Sequence, residues 1–416
     1  MEQTSPSVER LTTRCCIVGG GPAGVMAGYL LARAGVDVIG LEKHADFLRD
    51  FRGDTVHPST LEVMYELGLV EGFLQRPHQE YRHIGARLGG VPIEIADFSH
   101  LPVHSQFIAL MPQRDFLNYL VEAGRRLPNF RMLMQYEATD LLEENGRIAG
   151  VKGKTPKGPF EVRAHLTIGA DGRHSIVRKQ AGFQIEDLGA PIDVLWMRFP
   201  RKENDAESGL GHLKTGKMLV TIDRGDYWQC AFIIFKGAFE KLQERGLPAF
   251  REDIADVAPF LRDRTATLRD WKEVSLLSVR LDRLQTWWRA GLLCIGDSAH
   301  AMSPVGGIGI NLAIQDAVAA ANILAEPLRR ENVTTDHLAA LQKRRLWPTR
   351  WTQALQAQAH KRVVEPTLSG RATFEKLPLA IRLLNDYEIL RRIPARLIGM
   401  GLRPEHVKTQ AAANSR

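Results

Sequence analysis

Three short stretches of this chain set glycines beside a carboxylate or a proline at spacings that can seat a phosphorylated, polyhydroxylated ligand. The first reads Gly19-Gly20-Gly21-Pro22-Ala23-Gly24. Gly19, Gly21 and Gly24 fall on the G-x-G-x-x-G positions. The first glycine makes a tight turn, the second lets the backbone approach a pyrophosphate, and the third lets helix and strand pack closely. Pro22 and Ala23 open a helix whose amino end, rich in unpaired N–H groups, favours an anion. Glu42, with Lys43 beside it, lies 18 residues past Gly24. A carboxylate there suits the ribose diol of an adenosine and repels a 2′-phosphate, so this turn fits FAD or NAD.

The second stretch is Ala170-Asp171-Gly172, and the third is Gly296-Asp297 followed by Pro304-Val305-Gly306-Gly307-Ile308-Gly309-Ile310-Asn311. A carboxylate at Asp297 can accept hydrogen bonds from polyol hydroxyls. The loop from Pro304 to Asn311 can bring backbone N–H groups and a positive helix end against an electron-rich ring edge. Taken singly, each aspartate reads as a helix cap or a turn residue, and Asp171-Gly172 favours a plain turn.

Each stretch needs a strand to deliver it. Cys15-Cys16-Ile17-Val18 reads as a short strand before the first turn, a helix from about Pro22 to Ala34 follows with Val25, Tyr29, Leu30 and Ala32 inward, and a second strand spans Val36 to Leu41. Ala164 to Gly169 leads into Asp171, and Leu292 to Ile295 leads into Asp297. Carboxyl ends of strands are where open α/β sheets bind ligands. The uncharged run from Cys15 to Ala32 is no membrane span, because Gly19-Gly20-Gly21-Pro22 would break a helix at mid-bilayer. No second G-x-G-x-x-G follows a strand beyond residue 45, so a separate nicotinamide domain is not expected.

The chain has 416 residues, 44% hydrophobic and 25% charged, which excludes disorder and asks for more than one core. Four cysteines without C-x-x-C spacing fit a reducing, cytoplasmic location. The net charge of +7 is uneven: residues 326–416 carry 17 basic and 8 acidic side chains, while the first 325 residues sum to −2. Without an RNA- or DNA-binding signature this charge does not point to nucleic acid.

The three motifs in this order resemble the group A FAD-dependent aromatic monooxygenases, the p-hydroxybenzoate hydroxylase-like family, from residue 14 to about 325. The resemblance implies an α/β fold: a Rossmann-like FAD-binding domain, an inserted, mainly antiparallel β-sheet substrate domain and a helical C-terminal segment. It implies tightly bound, non-covalent FAD, NADH or NADPH as a transient co-substrate, and O2. It also implies hydroxylation of a small phenol-like or heteroaromatic molecule through a flavin C4a-hydroperoxide. Asp171 would serve FAD and the passage of the nicotinamide nucleotide, and Asp297 would hold a ribityl hydroxyl. Arg52 and Gln113 match the family's arginine after the second strand and glutamine before a helix.

The expected segments are 1–80, 111–185 and 286–330 for the FAD domain, 81–110 and 186–285 for the substrate domain, and 331–416 for the helical tail. Between 190 and 285 short apolar runs flank the turn Asp223-Arg224-Gly225-Asp226, reading as an antiparallel hairpin. Alternation puts Tyr227, Gln229, Ala231, Ile233 and Phe235 on one face and Trp228, Cys230, Phe232 and Ile234 on the other. One face should roof a cavity and the other should meet helices. Substrate-contact candidates are Thr55, His57, Arg198, Tyr227, Gln229 and Pro304. For Arg198 a rim position is the favoured reading, and for His57 a structural turn histidine is an equal one. No catalytic acid or base is assigned, and no histidine has metal-site spacing.

The tail's apolar runs, 377–384 and 390–399, are interrupted by arginines. The favoured reading is capping helices packed on the FAD domain with a solvated basic face, in a monomer or homodimer. Contact with an anionic bilayer is the less favoured one and would suit a quinone-precursor hydroxylase. A thioredoxin-like carboxyl domain of the kind larger relatives carry is not expected. A halogenase should show W-x-W-x-I-P, which Trp287-Trp288-Arg289 does not supply. An FAD-dependent reductase or a redox-binding protein that performs no oxygenation is the remaining alternative.

Overall fold

A computed structural model describes residues 7–47, 55–205, 211–372, 374 and 379–412. Its first layer is a sheet in which Leu292–Cys294, Gly158–Gly169, Glu9–Val18, Val38–Glu42 and Phe130–Met134 lie side by side, all parallel. Trp288–Arg289 closes one edge antiparallel. An antiparallel meander, Glu137–Glu144 and Arg147–Thr155, feeds into Gly158–Gly169.

The helix Pro22–Arg33 is buried from Ala23 through Ala32, a wider inward set than its periodicity predicts. It lies between the sheet and the helices Gln113–Gly124 and Gly309–Arg329, so nearly every side has a packing partner. Such a helix needs no polar face. Val305–Arg329, which includes the helix Gly309–Arg329, is long and apolar enough to cross a membrane, yet most of it is buried in this core.

The second layer is a seven-stranded sheet in the order Ser275–Ser278, Ile192–Pro200, Tyr227–Phe235, Lys217–Asp223, Gly211–Lys214, His83–Leu88 and Val91–Asp97. His83–Leu88 thus pairs with Gly211–Lys214, more than a hundred positions later. Ile192–Pro200 pairs antiparallel with Tyr227–Phe235, setting Arg198 opposite Gln229. Leu195, Met197, Phe199, Trp228, Cys230, Phe232 and Ile234 pack on the helices Phe239–Glu244 and Leu247–Val257. Trp228 is 1% exposed, and truncating such a side chain costs about 3–5 kcal/mol. The opposite face carries Ile192, Val194, Ala231 and Ile233, with Trp196, Met218 and Val220 partly covered. The alternation therefore divides the hairpin as expected.

The tail divides: its long helix Thr335–Ala359 packs on Gly309–Arg329 of the first domain through Leu338 and Leu341, as expected, and the later helices do not. Its helices Leu379–Asp386 and Arg392–Gly399 cover the edge strand Val91–Asp97 of the second sheet. Ala395 and Met400 pack there with Phe98, Leu101 and Ile108. Residues 401–412 then cross the first domain without regular structure, and Ala412 N–H reaches the Arg33 carbonyl at 2.9 Å. Apolar spacing identifies a buried helix face but not the surface it meets. An uncovered sheet edge supplied that surface.

Candidate FAD and substrate site

The three motifs meet at the carboxyl ends of adjacent parallel strands, and glycines make the meeting sterically possible. Gly19 has φ +111°, and a Cβ there would lie 2.4 Å from the Ala170 carbonyl oxygen. At Gly24 a Cβ would fall 2.0 Å from the Gly19 oxygen. Gly296, at φ +61°, abuts Ala23 and Ala313, with 3.0 Å and 3.3 Å left for a Cβ. Gly21 is the exception. It has extended backbone, caps the helix Pro22–Arg33 without a side chain, and a Cβ there would meet nothing nearer than 4.0 Å. That open space beside free helix N–H groups is where a pyrophosphate can approach.

Glu42 is 2% exposed at the end of its strand. Its Oε2 accepts the Gly20 N–H at 3.0 Å, and its Oε1 meets His44 Nδ1 at 2.6 Å, which fixes the acid beside the glycine turn. Lys43 is exposed next to it. Gln113 is the first residue of Gln113–Gly124 and is half-buried. Arg52 lies outside the described residues.

Asp171 takes the capping role its sequence allows and has an oxygen to spare. Its Oδ2 accepts N–H bonds from Ile176 at 2.7 Å and Val177 at 3.2 Å, capping the helix Ile176–Gln180. Its Oδ1 is buried without a hydrogen-bond partner among the described residues. Burial raises its carboxyl above the ordinary range, against the pull of its hydrogen bonds. A buried unpaired oxygen costs about 1–3 kcal/mol and fits a hydroxyl donor from a bound ligand. Asp297 is 30% exposed, with Arg173 Nη2 3.5 Å away. Together with the glycine cradle, these groups fit FAD.

The Pro304–Asn311 loop is stitched from two sides. Thr55 Oγ1 donates to the Gly307 carbonyl at 3.0 Å. Asn311 Oδ1 accepts the His57 N–H at 3.1 Å and the Thr60 hydroxyl at 2.6 Å. Its amide oxygen is thus spent on positioning. From the other side Gln356 Nε2 donates to the carbonyls of Ser303 and Val305, at 2.9 and 3.0 Å. Ser303 Oγ lies 2.9 Å from His360 Nε2, within a π-helical turn, His360–Val364. Such turns recur at functional sites. Pro304 and Gly309 stay half-buried at the mouth, while Ile310 is buried.

Of the substrate candidates, His57 is fully buried, and its Nδ1 lies 2.8 Å from the Ile398 carbonyl oxygen in the tail. Burial lowers its pKa to about 4, with that hydrogen bond opposing. Arg198 is exposed, its guanidinium 5.1 Å from the centre of the Tyr227 ring. Gln229 is 4% exposed and accepts from Arg224 Nε at 3.1 Å. A polar cleft of about 1200 Å³, bordered by Arg82, Arg87, Glu94, Arg201 and His212, contains none of the three motifs. The chemistry is assigned to the strand ends instead.

The network behind the third motif has no counterpart among the sequence candidates. Asp316, 0% exposed in Gly309–Arg329, accepts the Gly296 N–H at 3.0 Å, His300 Nε2 at 2.6 Å and Arg345 Nε at 2.9 Å. Burial opposes its ionisation, but His300 and Arg345 hold its pKa below the ordinary value. Arg345 also reaches Glu405 at 3.3 Å, and Arg344 grips the same carboxylate at 2.6 Å. The Gly296-Asp297 turn is thus tied to the chain's last segment. A lone aspartate in an apolar helix was the signal available beforehand.

The family described as FAD binding domain matches residues 12–354. The chain is 33% identical over 398 residues to 6-methylpretetramide 4-monooxygenase of Streptomyces rimosus, covering 94% of this chain and 93% of that one. It is 27% identical to 12-dehydrotetracycline 5-monooxygenase/anhydrotetracycline 6-monooxygenase of S. rimosus subsp. rimosus, over 73% of this chain. The chain spans 60% of that longer relative. In fold it resembles p-nitrophenol 4-monooxygenase PnpA from Pseudomonas putida DLL-E4, with TM-score 0.71 and 18% identity over 95% of this chain and 100% of that one.

Proposed function

Because the chain belongs to the FAD binding domain family and is an FAD-dependent aromatic monooxygenase, we propose that its substrate is a fused aromatic molecule of the pretetramide or tetracycline type. The observation that carries this reading is the end-to-end match to a relative that acts on 6-methylpretetramide. The site supports it. Val194 and Trp196, Ala231 and Ile233, and Met218 and Val220 form an apolar face across three adjacent strands, part of it packed on Ala357, Val364 and Leu368, and the rest would serve as an apolar ceiling. At about 4.8 Å per strand such a ceiling is about 10 Å wide, broader than one aromatic ring.

FAD, when bound, supplies the electron transfer from NADH or NADPH and the activation of O2. The chain's own residues seat and dry the site. Gly19–Gly24 and the helix behind it would bind pyrophosphate, Glu42 the adenosine ribose, and Asp171 and Asp297 the polyol. The half-buried loop at Pro304 and Gly309 would edge the ring system, with Ile310 and Asn311 fixed behind it. Gln229, held by Arg224, would turn an amide toward a substrate oxygen, with Arg198 and Tyr227 at the rim. An apolar ceiling excludes water, which would otherwise divert the oxidant to hydrogen peroxide.

Purified holoenzyme should be yellow. It should consume NAD(P)H and O2 in step with an anthrone- or naphthol-like multi-ring phenol, giving a product one oxygen heavier. Stimulation by single-ring phenols alone would refute the substrate class, and substrate-dependent turnover without oxygen consumption would refute oxygenation.

A further inference from the structure

The helix Thr335–Ala359 has an inner face in full use, with Arg345, Thr349, Gln353 and Gln356 buried. Its outer face is apolar where solvent should meet polar groups. Trp347 is 49% exposed, Trp351 53% and Leu355 42%. Their i, i+4, i+8 spacing aligns them in one stripe. The two indole rings lie 6.5 Å apart, tilted by 57°. A helix of a water-bathed enzyme normally shows the reverse arrangement.

The charges around this stripe are of one sign. From His337 to Val364 there is no carboxylate and there are six Lys or Arg residues. Arg344 and Arg345 engage the buried Glu405. Lys343, Arg350, Lys361 and Arg362 are exposed, and none has an ion-pair partner among the described residues. At about 100° per residue, Lys343 and Arg350 flank Trp347 on the same side of the helix.

We propose that this face docks on an anionic lipid bilayer, with Trp347, Trp351 and Leu355 entering the headgroup region and Lys343 and Arg350 meeting the phosphates. Indole rings favour that boundary, and each cation near an anionic leaflet strengthens partitioning by about fivefold. A second copy of the chain fits less well, because a two-fold contact would set these cations against their equivalents. The apolar stripe is also three residues long, against about 20–30 residues per side in a stable interface. The tail helices, richer in arginine, are the poorer surface: Asp386 and Glu388 stand among their cations, and Arg391 is taken by Glu94. The proposal rests on this surface alone and stands or falls apart from the substrate assignment.

The test is flotation of the holoenzyme with vesicles of phosphatidylcholine carrying about 30% phosphatidylserine, at about 100 mM salt, with brominated lipid as a tryptophan quencher. The wild type should float and be quenched, and should do neither with pure phosphatidylcholine. Trp347→Ser with Trp351→Ser, and separately Lys343→Glu with Arg350→Glu, should each weaken binding by about tenfold or more while leaving NAD(P)H oxidation unchanged. Failure of the wild type to bind would overturn the proposal. So would binding that survives both double variants and is lost in Ile389→Ser with Ile393→Ser. A wild-type dimer by light scattering that the tryptophan variants split into monomers would assign the stripe to self-association and overturn it equally.

Discussion

Replacing Arg345 with methionine removes one charge from a fully buried chain of ions while keeping the aliphatic bulk. Arg345 is 1% exposed, and its partners Asp316 and Glu405 have side chains 0% exposed. Removing one partner of a buried pair costs about 3–5 kcal/mol, because the survivor stays dry and unpaired. The lower end applies here. Glu405 keeps Arg344 at 2.6 Å, and Asp316 keeps His300 at 2.6 Å and the Gly296 N–H at 3.0 Å. With an unfolding entropy of about 2.1 cal/mol/K per residue, about 3 kcal/mol lowers Tm by about 3–4 °C. The same change should weaken FAD binding by at least about tenfold, because Asp316 then holds the Gly296-Asp297 turn with less support.

Two readouts separate these effects: unfolding followed by far-UV circular dichroism, and flavin release followed by the rise in flavin fluorescence. In Arg345→Met, flavin release should precede loss of helix signal by several degrees, whereas in the wild type the two should coincide. Glu405→Gln should reproduce a smaller version, and the double variant should lose less than the two singles together. A Tm loss with unchanged FAD affinity would show that the network supports the fold without positioning the turn. A Tm within about 1 °C of the wild type would refute the energetic argument itself.

Two further outcomes follow from the geometry. Gly21→Ala should leave the apoprotein within about 1 kcal/mol of wild-type stability but lower FAD affinity by about a hundredfold, since the methyl enters open space that the ligand needs; Gly24→Ala should lose about 3 kcal/mol or more even without FAD. Equal effects on apoprotein stability would refute that division. His57 gives a pH signature. With its folded pKa lowered to about 4, the folded state resists a proton that the unfolded chain takes up near 6.5, so its contribution is complete above that value and falls as pH drops. The loss is about 2 kcal/mol by pH 5, and His57→Gln should flatten that part of the stability–pH curve measured by urea titration. An unchanged slope would contradict the burial of its ring.

The local chemistry is legible in the amino-acid sequence itself. Gly19, Gly21 and Gly24 with Glu42 specify a dinucleotide turn, because only glycine tolerates the close backbone approaches at Gly19 and Gly24 and Gly21 leaves open the space a pyrophosphate needs. The period of two in Tyr227–Phe235 sorts its faces because successive side chains point oppositely. Both kinds of signal are carried by neighbouring residues. Long-range geometry lay beyond them. Asn311 reads as a flavin contact, yet its Oδ1 binds His57 and Thr60, more than 250 positions earlier. The tail's basic charge reads as solvated, yet Arg345 is buried between Asp316 and Glu405. Which partner a buried charge finds, and whether a helix covers the first domain or the edge of the second sheet, follows from which surfaces the completed fold leaves desolvated. That choice belongs to the packed molecule, because desolvation is a property of surfaces brought together from distant parts of the chain.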